Sequence, residues 1–424
     1  MGLALGIDIG TSGVRAVAMD RAGTIVADAA QPMTLPVLEV GQIAQDPQVW
    51  WQALETALDL LLAKIAPGDV EAIAVDGTSG TILPIDEAGR PLGLALMYND
   101  PSAAELARGL VTHAPPRTAA LGATSPLARA LTFKGIKGLK RILHQADWLA
   151  GKLSSRFDVS DKNNALKTGY DPVARCWPDW IARTGLDMAL LPRVLPAGTP
   201  IGTVTAEACR TYGFAPGTVV VAGTTDGCAA FLATGAKEPG DAVTSLGTTL
   251  TVKLLSATPV FAPPYGIYSH RIGDTWLAGG ASNTGGAALL KYFTREAMAL
   301  LEPQVRPDSP TGLDYYPLPQ AGERFPVNNP SYQPRDTPRP GDDAVFFQGL
   351  LEGIARIEAE GYRRLAELGA TPIRTMRSVG GGAANAPWTA IRARALGVPL
   401  LGSTSTEAAA GAARLAWRGI GVDA

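Results

Sequence analysis

One pattern occurs twice in this chain of 424 residues, and it restricts the possible folds more than any other feature. Near the start, Leu3 to Asp8 reads as a strand, Gly10-Thr11-Ser12-Gly13 breaks it, and Val14 to Met19 alternates as a second strand. Past the midpoint, Ala242 to Leu246 is again a strand, Gly247-Thr248-Thr249 a turn and Leu250 to Val252 a strand. Laid on one another, Gly247-Thr248-Thr249 falls on Gly10-Thr11-Ser12 and Ser245 falls on Asp8. Two lobes of one ancestry, each giving a hydroxyl-rich hairpin to a central cleft, account for this better than chance. Glycines in such turns let backbone N–H groups approach an anion, and the hydroxyls add donors. Asp8 beside its turn can hold Mg²⁺, usually through water. Equally, the segment reads as a plain β-hairpin turn with an ordinary Asp.

The flanking elements extend the first lobe. Asp20 to Gly23 is a turn and Thr24 to Ala27 a third strand. Asp46 caps a helix whose first residue is Pro47; Trp50, Leu54, Leu58, Leu61 and Ile65 recur at helical spacing and form core. Val70 to Val75 is a strand that ends in Asp76-Gly77-Thr78-Ser79-Gly80. Three strands, a helix and a strand ending in a polar loop is the order of a ribonuclease-H-like (actin-like) lobe, an analogy at the level of fold. Ala95 to Asp100 is a strand entering a polar turn, where Asn99 and Asp100 either face a polyol or shape the turn. Ser125 to Leu153 has a helical pattern interrupted at Gly135 and Gly138, and Ser160 to Tyr170 reads as a polar loop.

In the middle of the chain, Val219 to Ala222 is a buried strand running into Gly223-Thr224-Thr225-Asp226-Gly227. Asp226 there reads as a general base at a strand mouth or as a helix N-cap. In the second lobe, Pro303 to Asp343 is proline-rich and too long for an ordinary connection. It is either an ordered excursion or a mobile flap. Ala344 to Leu368 is a long core helix. Met376 to Val379 is a strand entering Gly380-Gly381-Gly382-Ala383-Ala384-Asn385, followed by a helix. A glycine run between strand and helix lets a flat ring or a phosphate lie on the backbone. It matches neither GxxxxGK[ST] nor a first-unit GxGxxG.

Composition excludes several classes. Hydrophobic residues make up 46% and charged residues 18%, so the chain is globular. The net charge of -2, with no basic run, indicates no nucleic-acid or membrane partner. Cys176, Cys209 and Cys228 lie far apart, as do His113, His144 and His270. Neither set has metal-ligand or disulfide spacing, which suits a reducing compartment. With no secretory leader and no apolar run of membrane-spanning length, the expected location is cytoplasmic.

Polar or glycine-rich loops thus follow strands at Gly10, Gly77, Gly223, Gly247 and Gly380. Such loops at strand carboxyl ends gather ligands in open α/β folds. Hydroxyl and backbone donors with two aspartates suit phosphoryl transfer, which needs positioning, a metal for the phosphate charge and a base for the acceptor hydroxyl.

In order along the chain, Asp8-Ile-Gly-Thr-Ser-Gly13, Gly223-Thr-Thr-Asp226-Gly227, Ser245-Leu-Gly-Thr-Thr249, Gly380-Gly-Gly-Ala383 and Thr406-Glu-Ala-Ala-Ala410 resemble the motifs of the FGGY family of carbohydrate kinases. The resemblance covers nearly the whole chain. More narrowly, Asp76-Gly-Thr-Ser79, Met97-Tyr-Asn-Asp100, Asn164-Ala-Leu-Lys167 and Gly312-Leu-Asp-Tyr-Tyr-Pro317 look like the compact plant and cyanobacterial D-ribulose kinases once called xylulose-kinase-like.

The resemblance implies an α/β fold of two ribonuclease-H-like (actin-like ATPase) lobes around a central cleft. Residues 1–235, joined by the C-terminal helix 406–424, would form the sugar-binding lobe with the base; residues 236–405 would form the nucleotide-binding lobe. The implied activity is ATP-dependent phosphorylation of D-ribulose to D-ribulose 5-phosphate. Asp226 would be the base, and Asp8, Ser79, Asn99, Asp100 and Asp226 would meet the ketose. Gly10, Thr11, Ser12, Gly247, Thr248, Thr249, Gly380, Gly381, Gly382 and Asn385 would hold ATP, and Asp8 would hold Mg²⁺ through water. The partners are then a small-molecule ketose and ATP, and the state a monomer or homodimer.

Departures from the family pattern bear on the substrate. Tyr98 and Ser102 stand where many relatives carry Trp and Arg, and Asp76-Gly-Thr-Ser79-Gly replaces a Gln-Met-His-Gly type of loop. Both weaken a xylulokinase reading. The alternatives are D-xylulose or another polyol as acceptor, and a non-catalytic sugar- or ATP-binding protein on the same fold. An actin-like chaperone ATPase is disfavoured by the lack of a β-rich peptide-binding domain after the second lobe.

Overall fold

Leu3–Ile9 (β1) is buried at every residue, because it has a neighbouring strand on each side and a helix on each face. The computed structural model describes residues 2–39 and 41–423. Its chain divides into two units: residues up to Ala233, His270–Gly273 and the chain from Glu407 on form one, and Thr234–Ser269 with Asp274–Thr406 form the other.

In the first unit, β1 is followed by Gly13–Asp20 (β2), Ile25–Pro32 (β3), Pro47–Leu62 (α1) and Val70–Gly77 (β4). The helix starts where Asp46 accepts the Gln48 N–H and Pro47 takes the first position. Its Trp50, Leu54, Leu58 and Leu61 pack on Leu3, Leu5, Ile7 and Ile9, the odd residues of β1. Then come Pro126–Thr132 (α2), Gln145–Ser154 (α3), Lys162–Lys167 (α4), Pro200–Thr203 (β5), Val219–Val221 (β6), Thr224–Thr225 (β7) and Asp226–Ala233 (α5). The main sheet has the order β5-β6-β4-β1-β2-β3, with β7 also paired to β4. The strands β1, β4, β6 and β7 run parallel, so the residues after them emerge at one edge. A smaller antiparallel sheet joins Gln42–Gln45, Ala95–Leu96, Ile82–Ile85 and Arg141–His144.

The second unit repeats this plan. Asp241–Leu246 (β8), Leu250–Ser256 (β9), Thr275–Ser282 (β10), Thr375–Val379 (β11) and Leu400–Leu401 (β12) follow the order β10-β9-β8-β11-β12. Their pairing directions match those of β3-β2-β1-β4-β6. Ser245 lies beside Val379 as Asp8 lies beside Asp76, so the second copy keeps the frame without either carboxylate. Asp343–Glu367 (α6) and Ala386–Leu396 (α7) cover this sheet. Between them, the buried pair Glu358–Arg392 is bidentate, at 2.7 Å for both bonds, and Arg392 also donates to Ser378 at 2.7 Å. That pair anchors β11 just ahead of the glycine run.

The chain then returns to the first unit as Ala408–Gly419 (α8), rich in alanine because it packs backbone to backbone. A Cβ on Gly6 would lie 1.8 Å from the Ala409 carbonyl oxygen, and one on Gly411 would lie 1.8 Å from that of Ala229. These glycines set how close α8 sits to β1 and to α5, the helix that begins at Asp226. Gly411→Ala is therefore expected to cost about 1–3 kcal/mol by overpacking. Urea unfolding measures it, and an unchanged midpoint would mean that the helices part freely.

Two segments differ from the sequence reading, and a third takes one of the two forms it allowed. Between Ser125 and Leu153 a strand, Arg141–His144, separates two helices. Gly135 and Gly138, both at φ +84°, break the pattern, and the strand hydrogen-bonds to Ile82–Ile85. Ser160 to Tyr170 is largely buried, with α4 in it, because Asp161 gathers its neighbours' donors, although Asn164 Oδ1 has no partner among the described residues. Asp161 accepts from the Asn163 and Asn164 N–H groups and from Asn164 Nδ2. The 303–343 stretch packs into its unit through buried Tyr315, Tyr316, Leu318 and Phe325, an ordered excursion without strands or long helices. Among the described residues, no helix is long and apolar enough to cross a membrane.

Candidate active site

The parallel register of β1 and β4 sets Asp8 directly beside Asp76, and that of β7 sets Thr224 on the other side of Asp76. Thr225 ends β7, and Asp226 is the next residue, opening α5. Three carboxylates from distant parts of the chain thus meet at one edge of the sheet. Asp8 and Asp76 are each one residue from the end of their paired strands, and Asp226 follows the last residue of β7.

Their electrostatics follow from burial. Asp76 is fully buried, and neither of its oxygens has a hydrogen-bond partner among the described residues. Burial holds its pKa well above the usual carboxylate value, and the charges of Asp8 and Asp226 push it the same way. Asp8 is raised for the same first reason; the side chain of Asp76 and the charge of Arg15 oppose the rise, while Asp226 and Glu407 add to it. Arg15 reaches Asp8 only at 3.8 Å and is itself exposed. Asp8 and Asp76 bring acceptor against acceptor, which becomes a hydrogen bond only if one of them carries a proton. Asp226 is partly exposed, and its Oδ1 accepts the Gly227 N–H at 2.6 Å.

This strain has a measurable sign. A carboxyl whose folded pKa is raised destabilises the fold as pH climbs from the unfolded pKa through the folded one. Asp76→Asn is thus expected to melt higher than the parent at about pH 8, without divalent metal, and the gap is expected to close below about pH 4. Equal melting temperatures at the higher pH would show that the carboxylate is not strained there.

The donor set fits Mg²⁺. It offers hard oxygens from two adjacent carboxylates, with a third near enough to shift both. Among the described residues no group of three His, Cys, Asp or Glu side chains is placed to hold a metal alone.

Around the end of β4 lie further polar atoms without partners. Ser79 Oγ and Gln145 Nε2 are both buried and unpaired among the described residues. The Gln145 amide is oriented by Thr78, whose N–H and hydroxyl both donate to Gln145 Oε1, at 2.9 and 2.8 Å. Unpaired buried groups in a cluster call for water or ligand hydroxyls. Asn99 is exposed, whereas Asp100 is fully buried. Its Oδ1 accepts the Ile43 N–H at 2.9 Å and its Oδ2 the Ser102 hydroxyl at 2.6 Å, the geometry of a turn-shaping residue. Gly10 donates to the Gly13 carbonyl in a tight turn that leaves Thr11 partly exposed and Ser12 exposed.

In the second unit, the Gly247-Thr248-Thr249 turn lies against Gly285 and Gly286. Gly286 donates to the Gly247 carbonyl at 2.9 Å, and Ala287 to that of Thr248 at 3.0 Å. A Cβ on Gly285, at φ +131°, would come 2.8 Å from Thr249, so only glycine fits there. Gly380, at φ +84°, turns the chain over the Leu246 carbonyl, and Gly381 faces open space. Asn385 caps α7 through the Trp388 N–H at 2.8 Å. Asp8, Asp76, Ser79 and Asp226 thus gather in one unit, and the Gly247 turn with the Gly380 run in the other. The sequence reading gave no role to Asp76, Gln145 or Gly285. Asp76 stood in a quoted motif, but only strand register shows its neighbour; nothing in the sequence marks Gln145.

Comparison with known proteins bears on the chemistry. The model of the N-terminal domain of the FGGY family of carbohydrate kinases matches residues 3–118, and that of its C-terminal domain matches residues 242–420. A xylulose kinase of Escherichia coli K12 is 26% identical over 97% of this chain and 89% of its own length. An L-fuculokinase of Salmonella typhi is 26% identical over 98% and 92%. The crystal structure of a xylulose kinase from Brucella ovis superposes with a TM-score of 0.86 at 25% identity, covering 98% of this chain and 90% of that one.

Proposed function

Since the chain belongs to the FGGY family of carbohydrate kinases, we propose that its acceptor is D-ribulose, phosphorylated on the 5-hydroxyl at the expense of ATP, with Asp226 as general base. One observation carries the choice of acceptor. The end of β4 and the loop after it read Asp76-Gly-Thr-Ser79 in place of the Gln-Met-His-Gly type, and Ser79 has a buried hydroxyl without a partner among the described residues.

Asp226 takes the proton of the attacking hydroxyl. Its partial exposure lets substrate reach it, and its backbone hydrogen bond to Gly227 fixes its direction. Ser79 and Gln145 pair with sugar hydroxyls, and Asn99 lies at the exposed rim. Asp100 supports the Asn99 turn from beneath. Asp8, next to Asp76, holds Mg²⁺ through water; bound there, the ion would offset the charge of the transferring phosphoryl group. Thr11 and Ser12 orient phosphate oxygens. In the second unit, Gly247, Thr248 and Thr249 cradle the nucleotide phosphates, while the Gly380-Gly381-Gly382 run and Asn385 hold its adenosine part.

Phosphorus NMR of the product tests this reading. A phosphomonoester on C5 of D-ribulose supports it, and ADP release without that ester counts against it. A second reading, D-xylulose as acceptor, is favoured by the xylulose kinases among the relatives.

A further inference from the structure

Arg129 is completely buried in α2, and among the described residues it has no carboxylate partner in hydrogen-bond contact. Its guanidinium instead holds four backbone carbonyls. Nη1 donates to Leu96 at 2.9 Å and to Met97; Nη2 donates to Gly80 at 2.9 Å and to Thr124 at 3.0 Å. Nε has no partner. Desolvation pulls its pKa down to about 10, with only the charge of Asp100 acting the other way. Burying an arginine among neutral carbonyls is costly, and an apolar side chain of similar volume would fill the space at less cost. What the guanidinium does, and an apolar side chain does not, is fix separate loops in one plane.

The loops it fixes matter. Gly80 follows Ser79 and sits at φ +95°. Leu96 and Met97 lead into the Tyr98-Asn99-Asp100 turn. A second tie runs parallel to the first: the Tyr98 N–H donates to Thr81 Oγ1 at 3.1 Å, which bonds Thr78 Oγ1 at 2.6 Å, and Thr78 in turn orients Gln145. Every polar group assigned above to the acceptor, apart from the carboxylates, hangs on these two ties.

We propose that Arg129 is a positioning residue for acceptor recognition: by holding the carbonyls of Gly80, Leu96 and Met97 it sets the Ser79 hydroxyl against the Asn99 turn. This rests on the assignment of that loop to the sugar. Arg129 does not touch substrate, and its effect passes through Ser79 and Asn99. Lysine, with one compact ammonium, cannot hold four carbonyls from three loops.

Steady-state kinetics of Arg129→Lys and Arg129→Met, with the sugar and ATP varied separately, test the proposal. Both variants are expected to raise KM for the acceptor by about 10- to 100-fold, the cost of a misplaced contact, and to leave KM for ATP as it was. The ratio of kcat/KM between the parent's best and second-best acceptors is expected to fall toward one. Thr81→Val breaks the second tie without touching a charge, and should move the same ratio in the same direction by about 3- to 10-fold. An unchanged ratio in Thr81→Val overturns the proposal even where the arginine variants do not fold. Equal losses for sugar and ATP in a folded Arg129→Lys overturn it too, since they mark a general structural role. Failure of the ribulose assignment shows instead in the parent, as a different best acceptor.

Discussion

Asp226→Asn is expected to bind the ketose about as well as the parent and to turn over about 10²–10⁴-fold more slowly, the usual size of a general-base contribution. The amide is isosteric with the carboxylate, and its oxygen can still accept the Gly227 N–H, so α5 keeps its start. What is lost is the proton acceptor. Because sugar binding and the chemical step are separable, calorimetry with the ketose should give a similar Kd while kcat collapses. If kcat stays near the parent's, Asp226 is only the first-turn acidic residue of its helix, favoured there by the helix dipole.

Asp8→Ala is expected to lower Mg·ATP-dependent turnover by about 10²–10³-fold while weakening sugar binding much less. Asp8 lies beside Asp76 and within the field of Asp226, and it is the less buried of the two adjacent strand-end carboxylates. Removing it leaves Asp76, whose oxygens are buried, as the other carboxylate of the paired strands. The matching measurement is calorimetry of sugar binding beside turnover at varied Mg²⁺. Loss of sugar affinity with intact Mg²⁺ dependence would move Asp8 from the phosphate side to the acceptor side.

Much of the frame was legible because it is local. The Val219–Val221 run, the Asp46-Pro47 helix start and the repeated glycine-hydroxyl turns each carry their own physical signal. The repeat also predicted that Ser245 would stand in the place of Asp8, and the strand pairings put it there. What stayed hidden depends on register between strands far apart in the chain. Asp76 looked like one acid in a glycine-rich loop until β1 and β4 paired. Asp100 read equally as a sugar contact or as a turn residue, and only the fold shows its carboxylate accepting from Ile43 and Ser102. The 160–170 stretch looked like a loop because its residues are polar, and polarity misleads wherever side chains satisfy each other out of water. Arg129, in an apolar helical pattern, gives no hint of the carbonyls it gathers.

The most direct measurement is coupled ADP release with Mg·ATP across D-ribulose, L-ribulose, D-xylulose, glycerol and no sugar. The account predicts kcat/KM for D-ribulose well above the rest, with little release when sugar is absent. Release that is fastest with D-xylulose, or that is indifferent to the sugar, would contradict it.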